Sequence, residues 1–362
     1  MGSRHTAEGI GVMERTGDLV GKRELATCIA PVLGALRQLL CGAFFLAAAG
    51  AVTTATALSP KPEPLPQPVK ITVGFGKVAH LSPIGEIAQR LKELNVEMTT
   101  VEFIRYADAR TAIATGSLDI ATIGPADLPI LLSQNNNNIV GLMGAGESPK
   151  FIVTRNGVDI KKWEDLKGKK IGVAPASAVW FQFAAMLKEV GVPYNSFTEI
   201  KIQGAAPNAV AALKKGDVDV IVTWEPFESQ PVAENFGYWA EGLDYSKSKA
   251  VGAELGLISA TRDALNTKRE AVRRFLWAYL EAVDRLNGSK EEFAKAIAKF
   301  QGIDLEVANR MAKNIKLGNF LTLAQMQLQA KTFFELGLFQ KDVSAQLGSA
   351  YDEELYKSVA GK

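Results

Sequence analysis

From residue 70 onward the chain alternates between two hydrophobic periods. Short apolar runs of strand length stand at Ile71–Gly74, Thr99–Phe103, Ile120–Ile123, Ile139–Met143 and Phe151–Thr154. A second series follows at Lys170–Val173, Glu199–Ile202, Val218–Thr223 and Leu255–Ala260. Between them apolar positions fall at helical spacing. The first series has such stretches at Pro83–Leu94, Ala107–Ala114 and Ala126–Leu132. The second has them at Ala178–Val190, Pro207–Lys215 and Pro226–Asn235. This alternation predicts an α/β fold with mostly parallel sheets, because strand–helix–strand units return by right-handed crossovers. After Thr261 only helical pattern remains, roughly Lys268–Asn287, Lys290–Lys299, Leu305–Lys316, Leu323–Leu336 and Asp352–Val359. Helices so late in the chain need a surface to cover, and one of the two sheets supplies it.

The two series share an internal correspondence. Ala112–Ile120 (AIATGSLDI) leads into a strand and then Gly124-Pro125, and Ala212–Val220 (ALKKGDVDV) leads into a strand and then Glu225-Pro226. In each, a helix ends at a Gly suited to a left-handed cap, an Asp opens the next strand and a Pro closes it. The pattern predicts two copies of one α/β unit. Open α/β sheets bind ligands beyond the carboxyl ends of their strands. Two such lobes facing one another would share a cleft there.

The N-terminus changes the picture. Leu39–Val52 (LLCGAFFLAAAGAV) is uncharged and apolar, follows Lys22, Arg23 and Arg37, and precedes the small-residue run Thr53–Ala57. As a helix it would span about 21 Å, short of the roughly 30 Å hydrocarbon core. A cleaved export signal over residues 1–57 is expected, with a retained anchor as the competing reading. Its removal takes away Cys28, Cys41 and His5 and leaves 36 basic and 35 acidic residues. The remaining chain has no Cys and His80 as its single His. Disulfides, thiol nucleophiles and zinc sites built on Cys or several His are thereby excluded, and no cofactor is expected. Near-neutral charge without a basic stripe excludes nucleic acid as a partner. Residues 58–69, with Pro at every second position of Ser59–Val69, read as a Pro-rich linker, either a stalk or an ordinary extended N-terminus.

Ile160–Val173 (IKKWEDLKGKKIGV), followed by Ala174-Pro175-Ala176-Ser177, resembles the segment that opens the second lobe in solute-binding proteins of ATP-driven importers. The resemblance is to the nitrate, taurine, aliphatic-sulfonate and thiamine-pyrimidine branch. Gly116–Pro125 resembles that branch's first-lobe strand, Thr223–Pro226 its aromatic–acid–proline turn, and Leu255–Asn266 its return crossing. The resemblance implies a two-lobed periplasmic-binding-protein type II fold with C-terminal helices. Lobe one would comprise 70–152 and 254–362 and lobe two 153–253, with Phe151–Thr154 and Leu255–Ala260 as crossing strands. It further implies a periplasmic, monomeric, non-enzymatic protein that captures a small solute and delivers it to an ABC permease in the inner membrane; the helix N-termini and loop donors of the candidate site point to a small organic anion, sulfonate- or carboxylate-like. An enzyme of the same fold acting on a pyrimidine is the alternative.

Candidate ligand-binding residues follow from strand and helix ends. Ala176 and Ser177 open helix Ala178–Val190, whose first-turn N–H groups suit an anion. Lys77 and His80 follow the first strand, and His80 can donate to an anion or titrate near neutral pH. Trp224 offers an aromatic face, and Glu225 can accept from a ligand amine or favour the following helix. Tyr106, Gly124, Pro125, Ser148, Trp180 and Glu254 occupy equivalent ends. Arg105 can pair with a carboxylate or sulfonate. Gly74–Ala79 fits a dinucleotide fingerprint, but its helix is expected only from Pro83, too late to hold a pyrophosphate.

Overall fold

The computed structural model describes residues 58–175, 177–202 and 206–361, so the expected export signal and Ala176 lie outside the described residues. The fold rests on two five-stranded sheets. The first contains β1 (Val69–Gly76), β2 (Val96–Phe103), β3 (Ile120–Ile123) and β4 (Ile139–Gly144). After the short β5 (Gly146–Glu147), the chain enters the second sheet. This holds β6 (Phe151–Arg155), β7 (Lys170–Val173), β8 (Thr198–Lys201), β9 (Val220–Val222) and β10 (Gly237–Asp244). The chain then returns to the first sheet as β11 (Leu257–Thr261), and β12 (Lys316–Leu317) pairs with β5.

Strand order is β2-β1-β3-β11-β4 in one sheet and β8-β7-β9-β6-β10 in the other. The roles match place for place. In each sheet the fourth position is taken by the strand arriving from the other lobe, antiparallel to both neighbours. The remaining pairings β1–β2, β1–β3, β7–β8 and β7–β9 are parallel. Mostly parallel sheets are thus corrected at the two arriving strands. β10, unforeseen because Gly237 and Gly242 break its alternation, closes the second sheet.

The repeated Gly–Asp unit occupies equivalent places. Gly116 and Gly216 both adopt left-handed conformation, with φ of 76° and 81°. Asp119 accepts from the Thr72 N–H at 2.8 Å, and Asp219 accepts from the Lys170 N–H at 3.0 Å. Asp119 therefore fastens β1 at the entry to β3, and Asp219 fastens β7 at the entry to β9.

Helices α1 (Ala88–Glu93), α2 (Tyr106–Ala114) and α3 (Asp127–Ser133) belong to the first lobe. The second carries α4 (Ala178–Val190), α5 (Ala206–Lys215) and α6 (Gln230–Ala233). Two expected helices are shorter. Pro83–Leu94 becomes a 3-10 turn over Ala79–Glu86 followed by α1, since Pro83 lies inside the turn and Gly85 presses on Phe300. Pro226–Asn235 shrinks to α6, because the Glu225 carboxylate captures the Ser229 N–H and hydroxyl in a turn.

After Thr261 come α7 (Arg262–Thr267), α8 (Arg269–Gly288), α9 (Lys290–Gln301), α10 (Leu305–Asn314), α11 (Leu323–Glu335) and α12 (Glu353–Ala360). α8 buries Phe275, Leu276, Tyr279, Val283 and Leu286 in the first-lobe core. The Pro-rich segment lies along that lobe: Ser59 N–H donates to the Val359 carbonyl at 3.0 Å and Arg274 holds the Glu63 carbonyl at 2.7 and 2.9 Å.

Two antiparallel segments join the lobes. Ala145 N–H donates to the Gly256 carbonyl at 2.9 Å, Leu255 N–H to Gly146 at 2.9 Å and Ser148 N–H to Ala253 at 3.1 Å. The crossing therefore lies at 145–148 and 253–256. The expected crossing strands Phe151–Thr154 and Leu255–Ala260 sit mostly inside the sheets.

Candidate functional site

Both sheets turn their carboxyl strand ends toward a cavity of about 160 Å³ whose floor is the paired crossing. Its lining comes from every part the topology brings together. The turn after β1 gives His80, the start of α2 gives Tyr106, and the loop after β3 gives Gly124 and Asp127. The crossing gives Ser148, Lys150 and Glu254, the start of α4 gives Ser177, Ala178, Val179 and Gln182, and the turn after β9 gives Trp224, Glu225 and Glu228.

At the α4 end, the Ser177 hydroxyl accepts from the Trp180 N–H at 3.2 Å. Ala178 and Val179, in the first turn where no helix carbonyl can reach the N–H groups, line the cavity. Space at Gly124 is tight: a Cβ there would stand 3.2 Å from Asp127 Oδ2 and 3.4 Å from the Ala178 Cβ of the other lobe. Asp127 in turn accepts from the Gly124 N–H at 2.7 Å and from Arg110 at 2.5 Å.

On the opposite side His80 Nε2 and the Tyr106 hydroxyl share a 2.6 Å hydrogen bond. Burial, and secondarily the Lys150 charge, pull the His80 pKa down to about 3. The ring is neutral at physiological pH, which corrects the expectation that it titrates near neutrality. Tyr106 is pushed upward by burial and stays a neutral phenol.

The remaining wall is acidic. Glu225 accepts from the Ser229 hydroxyl at 2.6 Å and the Ser229 N–H at 3.1 Å, and burial raises its pKa. Glu228 accepts from the Phe151 N–H, and burial followed by the Glu225 charge raises it further. Glu254 accepts from Gln329 at 2.6 Å, and burial lifts it to about 7 despite the Lys150 charge. Among the described residues no cluster of His, Cys, Asp and Glu is arranged to hold a metal ion.

Of the candidates read from sequence, His80, Tyr106, Gly124, Ser148, Ser177, Trp224, Glu225 and Glu254 meet in this cavity. Three do not line it. Lys77 is exposed and pairs with Glu102 at 3.2 Å, because the chain turns inward only at Val78. Pro125 is buried behind Gly124. Trp180 points along the flank of α4, where its indole N–H donates to the Tyr194 hydroxyl at 2.5 Å and its ring meets Phe181 edge-on. Arg105 lines the cavity but is held by Asp108 at 2.8 Å. The sequence reading missed Lys150, Asp127, Gln182 and Glu228. Glu228 stands three residues past Glu225 in a segment taken for helix, and Lys150 looked like a surface charge between strands.

Two sheets of the same order, each holding at its fourth position the strand that enters from the crossing, and joined by two crossings beneath a shared cavity, define a two-lobed solute-binding fold. A solved structure of an alkanesulfonate-binding protein from Xanthomonas axonopodis pv. citri, bound to MOPS, matches with a TM-score of 0.66 at 19% identity. The match covers 79% of this chain and 99% of that one. By sequence, residues 65–302 match the NMT1-like family, and the chain belongs to it. A taurine-binding periplasmic protein of Escherichia coli (strain K12) is 28% identical over 161 residues, 44% of this chain and 49% of that protein. A protein of the same strain named for binding aliphatic sulfonates is 24% identical over 258 residues, 68% of this chain and 77% of that protein. The chain thus spans about half of the first relative and three quarters of the second.

Proposed function

We propose that this chain is an extracytoplasmic solute-binding protein, not an enzyme, that captures a small organic anion and hands it to an ABC permease in the inner membrane. It would work in the periplasm as a monomer. The two rigid bodies would be residues 70–152 with 254–362 and residues 153–253, rotating about the paired crossing and closing on the solute. The observation that carries the reading is the cavity itself, floored by the crossing and walled by both sets of strand ends. The α4 first turn supports an anionic head group, a contact worth about 0.3–1 kcal/mol exposed and up to ~2 kcal/mol when partly buried. Glu225, a lining residue of the cavity, supports a donor such as an amine elsewhere on the same solute. The names of the relatives, taurine-binding and aliphatic-sulfonate-binding, point to sulfonates before carboxylates.

A calorimetric panel of 2-aminoethanesulfonate, propane-1-sulfonate, MOPS, nitrate, short carboxylates, simple amines and sugars tests this. Sulfonates or carboxylates are expected to bind at micromolar Kd, about −8 kcal/mol, and to be recovered chemically unchanged. Binding of amines or sugars alone would overturn the anion assignment, and a released product differing from the input would overturn the non-enzymatic one.

A further inference from the structure

Lys150 is buried, only 3% exposed, on the crossing segment just ahead of β6. Its backbone is pinned on both sides: the N–H donates to Asp244 at 3.0 Å and the carbonyl accepts from the Tyr245 N–H at 2.9 Å. The side chain thus enters the cleft floor from a fixed stem. Its ammonium has three protons to give, yet among the described residues Nζ makes one hydrogen bond, to the Glu254 carbonyl at 2.9 Å, and no ion pair. The same carbonyl accepts from Gln182 Nε2 at 3.0 Å, so the two head groups meet there. The Gln182 Oε1 is buried without a partner. A buried ammonium lacking an ion partner is costly, and here it faces a cavity.

Among the described residues, no other cation lining the cleft is free for a ligand. Arg105 is bound to Asp108 and His80 is neutral. The charged groups that face Lys150 are Glu147 and Glu254 from the crossing, Glu228 from the turn after β9 and Asp244 from the end of β10. They act on it through space rather than by contact. Burial outweighs them, and the ammonium pKa falls to about 8.

We propose that Lys150 is the residue that reads the negative charge of the solute, with an anionic oxygen completing the ion pair at the hinge and Gln182 Oε1 accepting from a neighbouring donor on the same ligand. The proposal rests on the anion reading above. It places the anionic head at the floor of the cavity that Lys150, the first-lobe His80 and the second-lobe start of α4 all line, so that neutralising the lysine and joining the lobes would be one event.

Propane-1-sulfonate and its uncharged analogue propane-1-sulfonamide separate the possibilities. Lys150→Met is expected to weaken sulfonate binding at least 30-fold and sulfonamide binding less than threefold. Equal losses for both probes, or none, overturn the assignment. In the wild type, sulfonate affinity is expected to fall with rising pH and to approach a tenfold loss per unit above pH 8, while the sulfonamide profile stays level. A level sulfonate profile between pH 7 and 10 overturns it even if Lys150→Met fails to fold. If no anion binds the wild type at millimolar concentration, the anion reading itself falls, and Lys150's role with it.

Discussion

Glu254 and His80 line one cleft and titrate in opposite senses. Glu254 is raised from 4.5 to about 7 in the folded chain, so the fold binds the proton that the unfolded chain has released. Its contribution to stability is full below pH 4.5 and is lost as pH rises through 7. His80 is lowered from 6.5 to about 3, so its contribution is present above 6.5 and is lost as pH falls through 3. Glu254→Gln should therefore gain on the wild type as pH rises from 4.5 to 7, with a ceiling of about 3 kcal/mol. Urea unfolding at pH 5 and 7.5 checks it; an unchanged difference would refute the burial of that charge. Gly256 marks a second residue-scale constraint. A Cβ there would stand 2.8 Å from the Tyr106 hydroxyl and 3.3 Å from His80 Nε2. Gly256→Ala is expected to displace that pair, costing about 1–3 kcal/mol and roughly tenfold in solute affinity, read by melts and calorimetry. What sequence could read at this scale was local chemistry: Asp119 and Asp219 announced themselves by position after a capping glycine. Trp180 misled because one residue's rotation about a helix axis separates a cleft position from a flank.

Helix α4 is bounded as the sequence predicts, from the Ser177 cap to the left-handed Gly191. Its apolar residues, however, serve two cores. Val179, Phe183, Met186 and Leu187 face the second lobe, while Phe181 and Ala185 join a cluster with Leu128, Met326, Ala330 and Phe333. Phe181 and Phe333 lie 4.9 Å apart, and Lys188 pairs with Glu335 at 2.7 Å. The lobes are thus held by α4 against α11 as well as by the crossing. Phe333→Ala should cost about 3–5 kcal/mol, seen as a lower denaturation midpoint; a loss under 1 kcal/mol would contradict this packing. Ser177→Ala removes the cap and is expected to cost ~1 kcal/mol, together with a loss of anion affinity that a purely structural cap would not produce. A sequence shows that a helix is apolar on more than one face but not which cores those faces enter.

For the whole molecule, the α4–α11 contact is expected to limit how far the cleft opens. Opening must slide or expose Phe181 and Phe333, so the free protein should stay near the closed form, with only a small change in scattering radius on adding a saturating sulfonate. Phe333→Ala should enlarge the free radius and restore a clear ligand-induced contraction; equal radii in both proteins would rule this coupling out. Ligand at 100-fold its Kd should stabilise either form by about 2.7 kcal/mol.

The amino-acid pattern by itself determined the two α/β series, their kinship and the family resemblance, because period, caps and turn residues act over a few neighbours. Only the tertiary structure decided which strand of each sheet is the one that enters from the crossing, that the crossing lies at 145–148 and 253–256, and that Lys150 is a buried charge rather than a surface one. Those outcomes depend on desolvation and on contacts between residues a hundred positions apart, such as Lys150 and Glu254. Neither quantity is written in any local run of the chain.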